Sequence, residues 1–196
     1  KSRCITVDNK DHLYVCDKGW TVTHNTEIFR LMEDHLLKTT EYPIGIIHLE
    51  ENTATTIKAI ATYHTQEPMN VEDQGFTIDQ IYNAYLDAVK NNEDRVYFQS
   101  SKGNQDEQTV MDNMRFLAAI CGCKFIFFDH ISWLAASTED GEDERKKLDR
   151  IVVKIKELAE ELGITIIAIS HVNDQGQTRG SRYISKMADT VINLTR

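Results

Sequence analysis

Four short apolar runs constrain this chain more than any other feature. Ile44-Gly-Ile-Ile-His-Leu49, Val96-Tyr-Phe98, Phe125-Ile-Phe-Phe128 and Ile164-Thr-Ile-Ile-Ala-Ile-Ser170 are apolar on successive residues. A strand patterned this way must be covered on both faces. Between the runs the apolar residues recur with helical spacing: Ile28, Leu31, Met32 and Leu36; Ile78, Ile81, Tyr82, Tyr85, Leu86 and Val89; Val110, Met114, Leu117 and Cys121. A further stretch, Leu148, Ile151, Val152, Ile155, Ala159 and Leu162, stops at Gly163, a helix-ending signal. Two-sided strands alternating with amphipathic helices predict an α/β fold, a parallel sheet flanked by helices. A last apolar run is Val191-Ile-Asn-Leu194.

With 196 residues, 41% hydrophobic and 27% charged, and only 2 Pro and 9 Gly, the composition suits one medium domain with a small appendage. No apolar run approaches the ~18 residues of a membrane span, and no signal peptide opens the chain; the expectation is no membrane partner and a cytoplasmic location, the host cytoplasm if the source is viral. Four cysteines, Cys4, Cys16, Cys121 and Cys123, are too few and scattered for a disulfide framework. Cys121-Gly-Cys123 lacks zinc-knuckle spacing and reads as small buried packing. The net charge of −9 excludes a generally basic nucleic-acid surface, so any contact with DNA must use a local patch.

In such a sheet ligands sit at the carboxyl ends of the strands. The residues there are Glu50-Glu51, Asp129-His130 and His171. An acidic residue after four apolar ones is the Walker B arrangement, a carboxylate placed to hold Mg²⁺ beside a nucleotide's phosphates. Glu50 on a neighbouring strand can orient or deprotonate the attacking water, and His171 can contact the γ-phosphate and report its loss. Each residue alone also fits an ordinary strand-end or loop role; three at successive strand ends argue for a site. The chain has no G-x-x-x-x-G-K-[ST] phosphate loop, so the sheet is expected to be incomplete on its N-terminal side. Yet Thr26 opens the helix leading into the Glu50 strand, where the Ser/Thr of that loop belongs.

The first 25 residues differ from the rest. Lys1, Arg3, Lys10 and Lys18 against Asp8, Asp11 and Asp17 leave them at +1, and residues 26–196 at −10. The chain opens on Lys1 rather than Met, which suggests that it begins inside a longer product. Residues 4–7, 12–15 and 20–23 are β-rich runs, too small a unit to fold alone. His24-Asn25-Thr26 follows. Asn25 can attack its own carbonyl and break the Asn25–Thr26 bond, His24 can protonate the leaving amine, and Thr26 can accept the upstream chain as an ester. The competing reading is a polar turn with Asn25 as a helix N-cap.

The segment "CITVDNKDHLYV" followed by "TVTHNT" resembles the two C-terminal blocks of inteins, the self-splicing protein inserts. The resemblance implies that His12 is the upstream block histidine and that Cys4 stands where many inteins carry Asp. Residues 1–25 would then be the C-terminal intein segment, its partner the upstream intein and extein part, and residues 26–196 a partial ATPase core. An intein between the Lys and Thr of G-K-T would leave Thr26 as its first downstream residue and as the Mg²⁺-binding Thr of the restored loop.

The strings "IIHLEENTATT", "CGCKFIFFDHISWLAAST", "DERKKLDRIVVKIKELAEELGITIIAISHV" and "TRGSRYISKMADTVINLTR" resemble the replicative DNA helicases of the DnaB class, above all phage primase-helicases and the mitochondrial Twinkle. The resemblance implies a RecA-like fold, ATP or another NTP with Mg²⁺ as cofactors, single-stranded DNA in the channel of a homo-oligomeric ring (a hexamer in this family), and coupling of NTP hydrolysis to duplex unwinding. It implies Glu50 as catalytic base, Asp129 as Walker B carboxylate, His171 as phosphate sensor and Thr26 as Mg²⁺ ligand. The loop from Val172 to Ser181 matches the DNA-facing segment. Family loops there are longer and carry lysine; here Arg179 is the loop's cation, and Arg182 and Lys186 follow. Trp133 is expected to pack in the core or at an interface. The family's arginine finger falls beyond Arg196. Two alternatives stay open: a recombinase or clock-type ATPase of the RecA-like group, and a catalytically silent assembly piece until its upstream part joins it.

Overall fold

The computed structural model describes residues 14–16, 21–23, 25–49, 51–71, 74–100, 106–136, 144–170 and 183–192. The chain runs β1 (Tyr14–Cys16), β2 (Thr21–Thr23), α1 (Asn25–Thr39), β3 (Ile44–His48), α2 (Thr53–Thr65), α3 (Ile78–Ala88), β4 (Val96–Ser100), α4 (Glu107–Ala119), β5 (Phe125–Asp129), α5 (Ile131–Ala136), α6 (Glu144–Leu162), β6 (Thr165–Ala168) and α7 (Ile184–Met187). β1 and β2 form an antiparallel pair. The other four strands form one sheet in the order β4-β3-β5-β6, with every pairing parallel.

The period of two along each strand divides the core. Ile47, Leu49, Ile126 and Phe128 face Met114, Leu117, Ile151 and Ile155 of α4 and α6. Ile44, Ile46 and Phe127 face Phe29, Leu37, Ile60 and Tyr85 of α1, α2 and α3. Phe29 meets Phe127 edge to face, with ring centroids 5.3 Å apart, the geometry that aromatic quadrupoles favour. Both faces of the two central strands are therefore dry, which explains their continuous apolar sequence.

Several sequence expectations change. In α1 Phe29 and Leu37 are buried in the core, and the expected Met32 and Leu36 are partly buried against it. Leu31 is 53% exposed, and with Ile28, Met32 and Leu36 it lines an apolar groove beside Phe125 and Ile167. The amphipathic stripe is periodic as expected, but part of it faces the free side of β6 rather than the core. β6 is only half-covered because among the described strands it has a single neighbour, β5. In α3, Ile78 and Tyr82 are exposed, while Ala84, Tyr85 and Ala88 are buried. α2 lacks a strong apolar stripe in sequence, and its end is fixed instead by the Asn52 side chain accepting from Thr55 N at 2.9 Å, an N-cap. Val191 and Ile192 are exposed and form no strand. Trp133 is 41% exposed, so of the two expected placements the core is excluded and an interface stays open, whereas Cys123 is buried as expected.

Candidate nucleotide-binding site

The site lies at the carboxyl ends of β3 and β5. His48, the last residue of β3, pairs in register with Asp129, the last residue of β5, and Leu49 N donates to Asp129 O at 2.9 Å. The two strand ends are thus locked level with each other. Asn25 and Thr26 are the first two residues of α1, and Thr26 Oγ1 donates to Asp129 Oδ2 at 2.9 Å. The structure therefore brings together the two residues expected from sequence to share one metal ion. On the far side of β5, Ile169 N donates to Phe128 O and Ile131 N to Ile169 O, at 3.1 and 3.0 Å, so the chain just before His171 runs beside the Asp129 strand end.

The donor chemistry fits Mg²⁺. A hydroxyl and a carboxylate are hard oxygen ligands, and Mg²⁺ in nucleotide sites takes few protein ligands, completing its shell with phosphate oxygens and water. Among the described residues no group of three or more His, Cys, Asp or Glu stands where it could hold a metal ion. The N-terminus of α1 adds backbone donors that have no partner within the helix, and the positive end of a helix dipole, beside Thr26.

Beneath this pair lies a buried polar cluster that sequence reasoning missed. Arg30, one turn after Thr26, is 2% exposed, and Glu33 is fully buried. Arg30 Nη1 donates to both Glu33 oxygens at 3.2 and 3.1 Å, and Nη2 donates to Glu51 Oε2. Nη2 also lies 3.4 Å from His48 Nδ1, which is 3.1 Å from Thr56 Oγ1. A guanidinium only donates, so Nδ1 is the unprotonated acceptor and the His48 proton sits on Nε2. Burial, aided by Arg30, lowers the His48 pKa to about 3, so this ring is neutral. Burial opposes the charge of Arg30, but Glu33 and Glu51 outweigh it and hold its pKa above the ordinary value. Burial also raises the pKa values of Glu33 and Glu51 against the pull of Arg30. Farther out, Tyr63 OH donates to Glu27.

The signal for this cluster was present but local. Thr26, Arg30 and Glu33 recur at helical spacing, a polar stripe next to Phe29 and Leu37, which face the core. A polar stripe beside a core-facing one points to a buried network.

Other expected residues lie elsewhere. Lys186 is exposed on α7, a short helix that packs Ile184 and Met187 against the core on the α4 and α6 side. Cys4, His12, His24, Glu50, His171, Arg179 and Arg182 fall outside the described residues.

A parallel sheet clad by helices on both faces, with a helix-initial hydroxyl bonded to a strand-terminal carboxylate, has the architecture of RecA-like ATPase domains. The chain belongs to the DnaB-like helicase C terminal domain family, whose model matches residues 23–191. It is 24% identical over 170 residues to the DNA helicase/primase of Enterobacteria phage T3, covering 78% of this chain and 30% of that protein. The chain thus spans under a third of that relative. Among solved structures, a DnaB-like replicative helicase described with its interactions with primase superposes with a TM-score of 0.67 at 14% identity, over 84% of this chain and 43% of that one. A second solved structure, described as an ATPase domain, gives 0.65 at 16% identity, over 84% and 62%. A KaiC-like protein from the archaeon Pyrococcus horikoshii gives 0.54 at 15% identity, over 84% and 63%. At these identities the structural likenesses show the shared fold. Among the described residues no helix is long and apolar enough to cross a membrane.

Proposed function

We propose that this chain is the downstream part of an intein-interrupted replicative DNA helicase that couples NTP hydrolysis to translocation and unwinding of duplex DNA. The observation that carries the reading is the Thr26 to Asp129 hydrogen bond, because it joins the first residues of α1 to the β5 carboxylate in a chain of the DnaB-like family. Thr26 and Asp129 hold Mg²⁺, which when bound neutralises charge developing on the transferred phosphoryl group. Glu50 orients and deprotonates the attacking water, and His171 responds to the γ-phosphate. Arg179, Arg182 and Lys186 supply cations to a DNA strand threaded through a homohexameric ring.

Residues 1–25 serve splicing. Asn25 cyclises with assistance from His24, Thr26 receives the upstream chain, and His12 and Cys4 support the earlier steps. Splicing joins Thr26 to an upstream Gly-Lys and so completes the phosphate loop ahead of α1. This reading is supported by the residue pattern around His24-Asn25-Thr26 and by the position of Thr26 at the start of α1.

The test is a junction peptide. Protein expressed from the intact locus is digested after glutamate, and the peptide ending at Glu27 is read by mass spectrometry. The expected peptide carries Gly-Lys directly before Thr26 and disappears in Asn25→Ala. Active protein in which residues 1–25 remain joined to Thr26 would overturn the splicing half of the proposal. A nucleotide-dependent rise in melting temperature for the unspliced chain would overturn the reconstruction of the phosphate loop by splicing.

A further inference from the structure

Thr26 and Glu27 follow each other in the first turn of α1, yet their side chains diverge. Thr26 Oγ1 donates to Asp129 on β5, whereas the Glu27 carboxylate accepts from Tyr63 OH on α2, 36 positions along the chain. Glu27 is half-buried, and its charge is felt by both Arg30 and Glu51, so it belongs to the same corner of the molecule as the Thr26–Asp129 pair. Burial, reinforced by the Glu27 carboxylate, holds the Tyr63 phenol above its ordinary pKa, so the hydroxyl keeps its proton and donates. A carboxylate in the first turn of a helix is stabilised by the helix dipole. The same partial positive charge and the same backbone donors are what a phosphate would use. An untethered Glu27 would therefore compete with phosphate for one end of one helix and repel it.

We propose that Tyr63 is a positioning residue for nucleotide binding: its hydroxyl draws the Glu27 carboxylate towards α2 and keeps the N-terminus of α1 open to phosphate. The inference rests on the nucleotide-site reading above. Tyr63 acts through Glu27 and touches no reacting atom. A hydrogen bond to a charged acceptor is among the stronger ones, and a tyrosine ring delivers its hydroxyl on few torsions, so the tether costs little entropy. The tether acts on binding and not on the chemical step, and what it controls is the charge of Glu27 rather than the packing of α1 on α2.

The experiment measures steady-state NTP hydrolysis and melting temperature for the spliced, full-length protein carrying Tyr63→Phe, Glu27→Gln, both together, Glu27→Asp or Asp129→Asn. Tyr63→Phe removes the hydroxyl and little else. It is expected to raise KM for nucleotide by about 5- to 10-fold, with kcat within about two-fold of wild type. In the Tyr63→Phe/Glu27→Gln pair, where no charge is left to swing, KM should return to that of Glu27→Gln alone. Glu27→Asp keeps the charge on a side chain too short to reach Tyr63, so it should raise KM as Tyr63→Phe does, and it decides the matter if Tyr63→Phe fails to fold. An unchanged KM in Tyr63→Phe beside an inactive Asp129→Asn would overturn the tether and leave the nucleotide site standing. A raised KM that Glu27→Gln does not relieve would also overturn it, because Tyr63 would then act by packing α1 on α2. Wild-type hydrolysis in Asp129→Asn would overturn the nucleotide-site reading itself, and this inference with it.

Discussion

Thr26 Oγ1 and Asp129 Oδ2 lie 2.9 Å apart although 103 positions separate the two residues in the chain. The contact exists because α1 packs Phe29 on Phe127, two residues before the end of β5, so the start of the helix hangs over the strand terminus. A core contact between two aromatic rings thereby sets the geometry of two polar groups. In the spliced protein Asp129→Asn should lower NTP hydrolysis by on the order of 100-fold or more while leaving the junction peptide intact. Thr26→Ser keeps a hydroxyl for both proposed roles and should retain splicing and most hydrolysis; Thr26→Ala should lose both. Steady-state hydrolysis beside mass spectrometry of the junction reads all three.

Gly45 is the second residue of β3, where α4 crosses. A Cβ added there would stand 2.9 Å from Leu117 Cδ1 and 3.4 Å from Ile126 Cγ1. Leu117 and Ile126 are both fully buried, so neither can swing away at low cost. Gly45→Ala should destabilise the domain by about 1–3 kcal/mol, the usual range for overpacking a filled core, measured as a fall in the urea midpoint at constant slope.

The neutral His48 makes stability depend on pH. Its native pKa of about 3 lies below the ordinary histidine value, so between those limits the unfolded chain binds the extra proton and stability falls as pH falls. The slope is about 1 kcal/mol per pH unit for one such group. Glu33 and Glu51, with raised native pKa values, act in the opposite sense: their contribution is greatest at low pH and is lost as pH rises above the ordinary carboxylate value. Comparing wild type with His48→Gln cancels these carboxylate contributions to first order. Wild type should lose more stability than His48→Gln when the pH is lowered from 7 to about 5, as followed by chemical denaturation at each pH. Equal losses in the two proteins would refute the buried neutral imidazole.

The Asn52 cap holds the start of α2, whose sequence has little apolar periodicity to hold it otherwise. Asn52→Ala should cost about 1 kcal/mol, and Asn52→Asp, which preserves the acceptor, should cost much less. Thermal unfolding of the two variants side by side separates the cap from any effect of side-chain size.

The parts of this architecture that were legible in the sequence are those where burial is two-sided. Phe125-Ile-Phe-Phe128 and Ile44-Gly-Ile-Ile-His48 read as strands covered on both faces, and they are β5 and β3. The same logic reached Asp129, because a strand-terminal carboxylate is a pattern in one dimension. Arg30 was missed because its partners Glu33, His48 and Glu51 come together only after α1 packs on the sheet. α2 was missed because its ends are defined by a cap and not by a stripe. Leu31 and Ile78 carry the spacing of core residues because periodicity identifies a face without saying what covers it, and both are exposed.

The most direct test of the central claim is unwinding of a forked DNA duplex by the spliced protein, with wild type and Asp129→Asn compared in the presence of Mg²⁺ and NTP. Strand displacement by wild type that requires both NTP and Mg²⁺, and its loss in a folded Asp129→Asn, is the predicted result. NTP hydrolysis without strand displacement would favour another RecA-like ATPase, and unwinding by Asp129→Asn at the wild-type rate would contradict the site built on Thr26 and Asp129.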